Sequence, residues 1–422
     1  MEFIRESMET RICGTYDVIV VGGGVAGVSA ALAAARNNAK VLLIEKTAVL
    51  GGLATSGHVV YYDPICDGMG HKVYTGIAEE LFNASIKYSY ETTPEVWRKG
   101  PMDANTTIRY DTVFNGPAFV MALDELVLNE KIDILLDTVF CDVEMEGGTC
   151  KSVIVENKSG RQAYRSKAVV DASGDADVLY RAGAPCSEQD NHITYWAYCI
   201  ADNIEKYNGP KGPPPNNVKI LSVGNFRGSD LPPDIPKYKG TDAQHVTDFL
   251  IKSRRLGLDK MRADPSLIFT SFPSQAQFRT TRKIIGKHTL RTEDAGRHFS
   301  DSIGCVNIWN FPKPVYEVPY GVLVTEKIDN IFAAGRIVSC AGGHGWEITR
   351  PIPACAVTGQ AAGCSAAIYA TNAGIVPISD LQAMLKKDGV TLIMSETMVE
   401  QSNQWLEEWR NQDDPFFKDK PV

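Results

Sequence analysis

The sequence predicts an α/β protein in which a Rossmann-like dinucleotide-binding domain, built from a parallel sheet and a β-meander, carries an inserted α+β domain. Three observations lead to this fold class. A strand, a glycine-rich loop, a helix and a second strand follow one another near the N-terminus. Short strand-like runs separated by turn residues fill part of the middle of the chain. A further strand and a helix of small residues follow near the C-terminus.

The N-terminal unit has the pattern of one βαβ crossover. Residues 17–21 (Asp-Val-Ile-Val-Val) form a β-branched apolar run, which is typical of a strand buried on both faces of a parallel sheet. Residues 28–36 are rich in alanine and favour a helix. After the turn residues Asn37 and Asn38, residues 40–44 repeat the buried-strand pattern.

The middle of the chain predicts two helices and a β-meander. Residues 75–88 are amphipathic, and Pro117 is placed to open a second helix. Residues 132–172 contain successive strand-like runs, with a hairpin turn expected at Gly147 and Gly148.

Regular structure returns near the C-terminus with a short buried strand at residues 330–334. A helix of small residues follows at about 353–371. Both chain ends and the middle therefore contribute to one dinucleotide-binding domain. The predicted boundaries are 14–75, 130–185 and 315–375 for that domain, 76–129 and 186–314 for a substrate or cap domain, and 376–422 for a C-terminal helical tail.

Composition argues against several classes of protein. Of 422 residues, 44% are hydrophobic and 22% are charged, which is ordinary for a globular chain. The net charge of −8 argues against a nucleic-acid partner. The ten cysteines include no C-x-x-C pair and no cluster with histidine, so we expect no metal site and no iron–sulfur centre.

The apolar stretches do not have the pattern of membrane segments. The first residues contain no apolar run typical of a secretory signal. Glycines interrupt the most apolar stretch, residues 18–35, in a strand–turn–helix pattern. We therefore expect a cytoplasmic protein without a membrane span.

The glycine-rich loop predicts a phosphate cradle. Gly22, Gly24 and Gly27 match G-x-G-x-x-G between a strand and a helix. The first glycine permits a tight turn, the second lets the backbone approach a pyrophosphate, and the third lets helix and strand pack closely. Glu45 follows at the end of the second strand, where a carboxylate binds ribose hydroxyls and would repel the 2′-phosphate of NADP.

Four further segments carry a family resemblance. They are Gly51-Gly52-Leu53-Ala54-Thr55, residues 169–177 (Val-Val-Asp-Ala-Ser-Gly-Asp-Ala-Asp), residues 330–336 (Asn-Ile-Phe-Ala-Ala-Gly-Arg) and residues 358–363 (Thr-Gly-Gln-Ala-Ala-Gly). Their order resembles that of the two-dinucleotide-fold FAD-dependent oxidoreductases related to fumarate reductase and succinate dehydrogenase flavoproteins. Residues 277–286 are also similar to the family's R-E-S-R-R-I-x-G segment, with Thr280 in place of the acidic residue.

The resemblance implies FAD as the cofactor, and we expect it to be bound non-covalently, because His58 does not match the spacing of relatives with histidine-linked FAD. The residues implied in FAD binding belong to these glycine segments and their neighbours. They are Gly22, Gly24, Val25, Ala26, Gly27, Glu45, Lys46, Gly51, Gly52, Leu53, Thr55, Val139, Ala172, Ser173, Gly174, Gly335, Arg336, Gln360 and Ala361.

Three residues are candidates for catalysis. His344 lies in the loop Gly342-Gly343-His344-Gly345 and is suited to proton transfer near neutral pH, or it only orients that loop. Arg350 can bind a substrate carboxylate, or it pairs with Glu347 three residues earlier. Arg282 can close over the substrate from the inserted domain, or it belongs to a solvated basic surface.

Together these features predict hydride transfer between flavin N5 and a small hydroxylated or carboxylated metabolite. Alternatives are reduction of an activated C=C bond and an electron-transfer flavoprotein subunit, although such subunits usually carry cysteine clusters, and this sequence has no C-x-x-C pair. No second G-x-G-x-x-G follows a strand downstream of Glu45, so we expect a separate electron acceptor or oxygen to reoxidise the flavin. A homo-oligomer is compatible with the sequence.

Overall fold

The computed structural model describes residues 4, 7–88, 109–201, 218–412 and 418–420. Its helices are α1 (Val25–Arg36), α2 (Ile77–Lys87), α3 (Gly116–Asn129), α4 (Asp177–Arg181), α5 (Ala243–Ala263), α6 (Trp346–Thr349), α7 (Ile352–Thr371), α8 (Ile378–Lys387) and α9 (Glu396–Arg410). Its strands are β1 (Arg11–Val21), β2 (Val41–Ile44), β3 (Tyr61–Tyr62), β4 (Thr112–Val113), β5 (Asp133–Leu135), β6 (Val139–Glu146), β7 (Thr149–Asn157), β8 (Gly160–Asp171), β9 (Cys186–Glu188), β10 (Asp190–Asn191), β11 (Tyr195–Ala201), β12 (Val218–Val223), β13 (Tyr238–Lys239), β14 (Leu267–Ser271), β15 (Arg282–Ile284), β16 (Ser302–Asn307), β17 (Val315–Pro319), β18 (Ile331–Ala333), β19 (Gly342–Gly343) and β20 (Asp419–Lys420).

The main sheet has the order β5-β2-β1-β8-β7-β6, and β18 pairs with the end of β8. The pairs β5/β2, β2/β1, β1/β8 and β8/β18 are parallel, whereas β6, β7 and β8 form an antiparallel meander. The predicted combination of a parallel sheet and a β-meander is confirmed. Strand β1 begins earlier than predicted, at Arg11, because residues 11–16 also pair with β8.

Helices α1 and α7 cross at very short distance on the main sheet. A Cβ on Gly359 would lie 2.3 Å from the carbonyl oxygen of Ala26, and one on Gly363 would lie 2.2 Å from that of Ala30. The Ser29 hydroxyl donates to the carbonyl of Ala356 at 2.7 Å. The small residues of both helices therefore permit the contact that brings their N-termini to one end of the sheet.

A second, smaller core lies in the predicted inserted region. The antiparallel sheet β12-β11-β14 lies beside α5, and the core includes Tyr195, Phe249 and Phe278. An additional domain is thus present in the fold, as the sequence predicts.

Not all segments assigned to the cap by sequence pack in the second core. Helices α2 and α3, within residues 76–129, bury Phe82 and Phe119 in the first core, and Arg36 of α1 bridges Glu80 and Glu130. Strand β16, within residues 186–314, also packs in the first core. The apolar side chains of α2, α3 and β16 therefore belong to the core around the main sheet rather than to the second core. Parts of the predicted ranges, residues 89–108, 202–217, 413–417 and 421–422, lie outside the described residues.

The C-terminal region packs back onto the first core. Helix α9 buries Trp405 and Trp409, and β20 pairs antiparallel with β19 in the loop before α6. Among the described helices, none is both long enough and apolar enough to cross a membrane.

Candidate functional site

A cavity of about 1020 Å³, open to solvent, lies where the parallel strands of the main sheet end. We call it the dinucleotide cavity. Its lining residues are Val21, Gly22, Gly24, Val25, Ala26, Ile44, Glu45, Lys46, Gly51, Gly52, Leu53, Ala54, Thr138, Val139, Phe140, Ala172, Ser173, Gly174, Asp177, Gln275, Ala334, Gly335, Arg336, Arg350, Ile352 and Cys355. The carboxyl ends of parallel strands are the usual ligand position in open α/β sheets.

The glycine loop leaves open space beside Gly24 and lets α1 pack closely on β1 at Gly27. Gly22 has a φ of +105°, which favours glycine. A Cβ on Gly27 would lie 1.7 Å from the carbonyl oxygen of Gly22, so this residue must be glycine for α1 to approach β1. A Cβ on Gly24 would instead point into open space, with Gly52 Cα at 3.9 Å. Helix α1 begins there without a side-chain cap, so its N-terminal N–H groups suit a phosphate.

Glu45 lies at the end of β2 and is buried. Its Oε2 accepts a hydrogen bond from the Gly23 amide at 2.6 Å, and its Oε1 accepts one from the Thr47 amide at 2.8 Å. These two bonds fix the carboxylate at the cavity wall. The remaining lone pairs suit the hydroxyls of a ribose.

The second glycine pair is attached to the first. The Gly51 amide donates to the carbonyl of Gly23 at 2.8 Å, and Gly51 has a φ of +99°. The Thr55 hydroxyl donates to the carbonyl of Leu50 at 2.5 Å and closes this turn from behind. Two segments separated in sequence therefore form one continuous backbone cradle, which fits the diphosphate of a dinucleotide.

The turn after β8 is held by a buried carboxylate. Asp171 accepts hydrogen bonds from the Ser173 amide and hydroxyl and from the Leu179 amide, at 2.7–3.1 Å. Burial raises the pKa of Asp171 to about 6. Arg336 then donates to the carbonyl of Gly174 at 2.5 Å and pairs with Asp175 at 2.9 Å.

Most of the predicted cofactor residues line this cavity. They are Gly22, Gly24, Val25, Ala26, Glu45, Lys46, Gly51, Gly52, Leu53, Val139, Ala172, Ser173, Gly174, Gly335 and Arg336. Gly27 and Thr55 act from behind the wall, as described above. Gln360 and Ala361 are buried in α7, where Gln360 Oε1 accepts from the Ile77 amide at 3.0 Å and therefore joins α7 to α2.

Sequence reasoning missed several lining residues. Val21, Ile44 and Ala334 adjoin predicted residues, so proximity in sequence was a signal that could have found them. Gln275 and Cys355 lie apart from the predicted positions and carry no such local signal.

A second cavity adjoins the first and is also open to solvent, with about 880 Å³ of space between its walls, and we call it the chamber. Its lining residues are Leu53, Ala54, Val59, Tyr61, Asp63, Thr194, Trp196, Gln277, Phe278, Arg279, Trp309, Arg336, Arg350, Pro351 and Ile352. Leu53, Ala54, Arg336, Arg350 and Ile352 line both cavities. The remaining walls include residues from the second core and from the segment after β14.

One buried carboxylate organises the charged wall of the chamber. Glu347 accepts hydrogen bonds from Arg279 Nη2 at 3.2 Å, from Arg350 Nε at 3.0 Å and from Trp309 Nε1 at 2.6 Å. Burial opposes the charge of Glu347, but the two guanidinium groups outweigh it and hold its pKa at about 2. Burial, with Arg350 close by, lowers the pKa of Arg279 to about 10.

Asp63 is the second carboxylate of the chamber, and sequence reasoning did not identify it. Its Oδ2 accepts a hydrogen bond from the Ile352 amide at 3.1 Å, at the start of α7. Burial raises the pKa of Asp63 to about 6, against the effect of Arg350. A carboxyl group with this pKa can exchange a proton near neutral pH.

His344 does not belong to either set of lining residues. Its imidazole is completely buried, lies between Thr292 (Oγ1 at 3.1 Å) and the rings of Trp405 and Trp409, and is covered by the tail. Burial lowers its pKa to about 4. This position places His344 away from the ligands that either cavity could hold, because α9 and β20 close over its loop.

Arg282 also lies away from both cavities. Its side chain pairs with Glu188 at 3.3 Å and Asp177 at 3.5 Å and lies over the ring of Tyr180 at 3.7 Å. These contacts join β15 to β9 and α4. The position of Arg282 thus supports packing behind the dinucleotide cavity rather than contact with a substrate. Of the three catalytic candidates, Arg350 alone lines the chamber.

The curated proteins that resemble this chain include two that it matches over about half of its length. The chain is similar to digeranylgeranylglycerophospholipid reductase 1 of Methanococcoides burtonii, with 26% identity over 228 residues, covering 50% of this chain and 52% of that protein. It is similar to protein FixC of Azotobacter vinelandii, with 26% identity over 204 residues, covering 44% of this chain and 42% of that protein. The chain thus matches about half the length of these relatives.

Among solved structures, the open conformation of a flavocytochrome c3 fumarate reductase aligns at 16% identity and a TM-score of 0.43, over 86% of this chain and 79% of that one.

The family profile described as FAD dependent oxidoreductase matches residues 17–197 and 234–387. These ranges contain the glycine cradle, Glu45, the turn after β8 and the helix α7 that borders both cavities. Because the match covers most of the sequence, the chain belongs to the FAD dependent oxidoreductase family.

Proposed function

We propose that the chain is an FAD-dependent oxidoreductase acting on a small hydroxylated or carboxylated molecule that binds in the chamber. The observation that carries this proposal is the shared wall of the two cavities. Leu53, Ala54, Arg350 and Ile352 border both, so a molecule in the chamber and a dinucleotide in the neighbouring cavity can meet there.

FAD is the cofactor of the family, and the cradle fits it. Glu45 would hold the adenosine ribose, and the backbone at Gly22, Gly24 and Gly51 would hold the diphosphate. When bound, FAD supplies a partner for hydride exchange. Non-covalent attachment is supported by His58, which bonds to Ser271 at 3.3 Å and is not among the lining residues of either cavity.

The two guanidinium groups would bind the substrate's anionic or hydroxyl group. Arg279 and Arg350 already share Glu347, which holds both in place before a ligand arrives. Guanidinium groups suit carboxylates because their N–H donors match the two oxygens. Prior positioning of this kind lowers the entropy lost on binding.

Asp63 would accept or donate the proton that accompanies oxidation or reduction of the substrate. It borders the chamber beside the shared wall, and its pKa of about 6 lies near working pH. The ionised form would accept a proton from a substrate hydroxyl, and the protonated form would return it in the reverse direction. Asp63 takes this role in place of His344, which is enclosed elsewhere.

The test is anaerobic reduction of the FAD-loaded protein by a panel of hydroxy acids, amino acids and sugars. A substrate should bleach the visible flavin absorbance, and Arg279→Gln should slow or abolish bleaching. Arg262→Gln, an exposed change on α5, is the matched control and should behave like the parent. Acid precipitation should release all of the flavin. A purified protein that binds no FAD, or that no panel compound reduces, would contradict the proposal.

A further inference from the structure

The walls of the chamber away from its charged groups are mainly aromatic and apolar. Trp196, Trp309, Phe278 and Tyr61 contribute rings, and aliphatic side chains from the shared wall complete them. A short aliphatic diacid would leave much of this surface without contacts. Flat apolar walls are better matched by a ligand that carries an aromatic ring, since such rings pack face to edge or in offset stacks.

Hydrogen bonds fix the backbone of Trp196 and the indole ring of Trp309 before a ligand binds. The Trp196 amide donates to Gln277 Oε1 at 2.6 Å, and Gln277 Nε2 donates back to the Trp196 carbonyl at 3.0 Å. Trp309 donates its indole N–H to Glu347 at 2.6 Å. These bonds fix the Trp196 backbone and the Trp309 indole.

The charges in the chamber favour one carboxylate rather than two. Arg279 and Arg350 carry two positive charges, and Glu347 neutralises one of them. Asp63 lines the same chamber, so the cluster carries one net positive charge while Asp63 is protonated and none once Asp63 ionises. In the protonated state a single ligand carboxylate cancels this charge, whereas a second would add an uncompensated negative charge, so the acid should bind most tightly in weakly acidic buffer.

Thr194 gives an independent indication of a polar ligand group. Its Oγ1 is buried and finds no hydrogen-bond partner among the described residues, and Thr194 lines the chamber. A buried hydroxyl without a partner costs free energy. A ligand hydroxyl or carbonyl reaching Thr194 would satisfy it.

We propose that the chamber binds an aromatic monocarboxylic acid, with the ring on the walls formed by Trp196 and Trp309 and the carboxylate at Arg279 and Arg350. This inference rests on the proposed function, because it takes the chamber as the substrate site, but the inference itself concerns only ligand binding. It narrows the substrate class from any hydroxylated or carboxylated molecule to aryl acids with one carboxylate.

The test is isothermal titration of the oxidised, FAD-loaded protein in weakly acidic buffer. The probes are benzoate, phenylacetate and naphthylacetate, their amides, and succinate as an aliphatic diacid. At least one aryl acid should bind about tenfold or more tightly than both its amide and succinate. Because no turnover is needed, failure here is distinguishable from failure of flavin reduction.

Two variants divide the contributions of ring and charge. Trp196→Leu should weaken binding of the aryl acid, whereas Arg279→Gln should remove the preference for acid over amide. The exposed control Arg262→Gln should leave every affinity unchanged. Equal or tighter binding of succinate, equal binding of acid and amide, or no binding of any aryl acid would each overturn the inference, even without the variants.

Discussion

Arg279 Nη2 lies 3.2 Å from each carboxylate oxygen of Glu347, and this ion pair joins the segment after β14 to helix α6. The segment before β15 contributes to the second core through Phe278, whereas α6 packs in the first core through Trp346. The pair therefore connects the two cores at the wall of the chamber. It stabilises the fold and positions a binding group at the same time.

Replacing this carboxylate should destabilise the protein. In Glu347→Gln, two guanidinium groups remain largely buried without their shared partner, so the free energy of unfolding should fall by about 3 kcal/mol. Urea unfolding measures the change. Glu326→Gln is the control, because the exposed pair of Glu326 with Lys287 should contribute less than about 1 kcal/mol. A loss no larger than that of the control would show that Glu347 does not hold the two arginines.

Substitutions at two glycines of the cradle, Gly24 and Gly27, should have different effects. Gly24→Val places a side chain in the open dinucleotide cavity, so the protein should fold but lose its flavin. Gly27→Val drives a side chain into the carbonyl of Gly22, so the protein should fold poorly or not at all. Flavin content of the purified protein and its thermal melting distinguish the two. If Gly24→Val still bound flavin and was yellow, the diphosphate of FAD would not lie beside Gly24.

Asp63→Asn should alter how stability depends on pH. The pKa of Asp63 is about 6 in the folded state and about 4 in the unfolded chain, so the native state binds more protons between these values. Stability therefore falls as pH rises through this window, by about 3 kcal/mol for this group. In Asp63→Asn, the free energy of unfolding should fall less between these two pH values than it does in the parent. Urea unfolding at a series of pH values across the window measures this difference.

The control for this measurement is Asp380→Asn, an exposed position on α8, which should keep the parent's pH dependence. In the same window, the rate of flavin reduction by a hydroxylated substrate should rise with pH in the parent as Asp63 ionises. That rise should disappear in Asp63→Asn. An unchanged rate profile would exclude Asp63 as the base.

His344→Ala should affect folding rather than chemistry. The variant removes a fully buried ring from contact with Trp405 and Trp409, and the cavity left behind should cost about 2 kcal/mol. Per folded molecule, flavin content and the rate of flavin reduction should match the parent. Chemical denaturation and anaerobic stopped-flow absorbance measure the two effects. If His344→Ala abolished flavin reduction but kept the parent's stability, His344 would have a catalytic role.

The dinucleotide half of the protein could be predicted in detail because its signals are local. The spacing of Gly22, Gly24 and Gly27 sets a turn and a close packing contact, and β-branched runs set buried strands, within a few residues of sequence. The resemblance of the later glycine segments then predicted their return to the same cavity. Gln360 shows the limit of this reasoning, because it belongs to a recognised segment yet points into the contact with α2.

The sequence by itself thus determined the α/β class, the glycine cradle and the carboxylate at Glu45. Only the tertiary structure decided the chamber, where Asp63, Trp196 and Arg279 arrive from separate parts of the chain and Glu347 holds Arg279 in place from behind the wall. It also enclosed His344 beneath the C-terminal helix α9, although the sequence made this histidine a candidate for proton transfer. The physical reason is that periodicity and glycine spacing act over a few residues. Which side chains share a buried wall depends instead on long-range packing between the two cores and the tail.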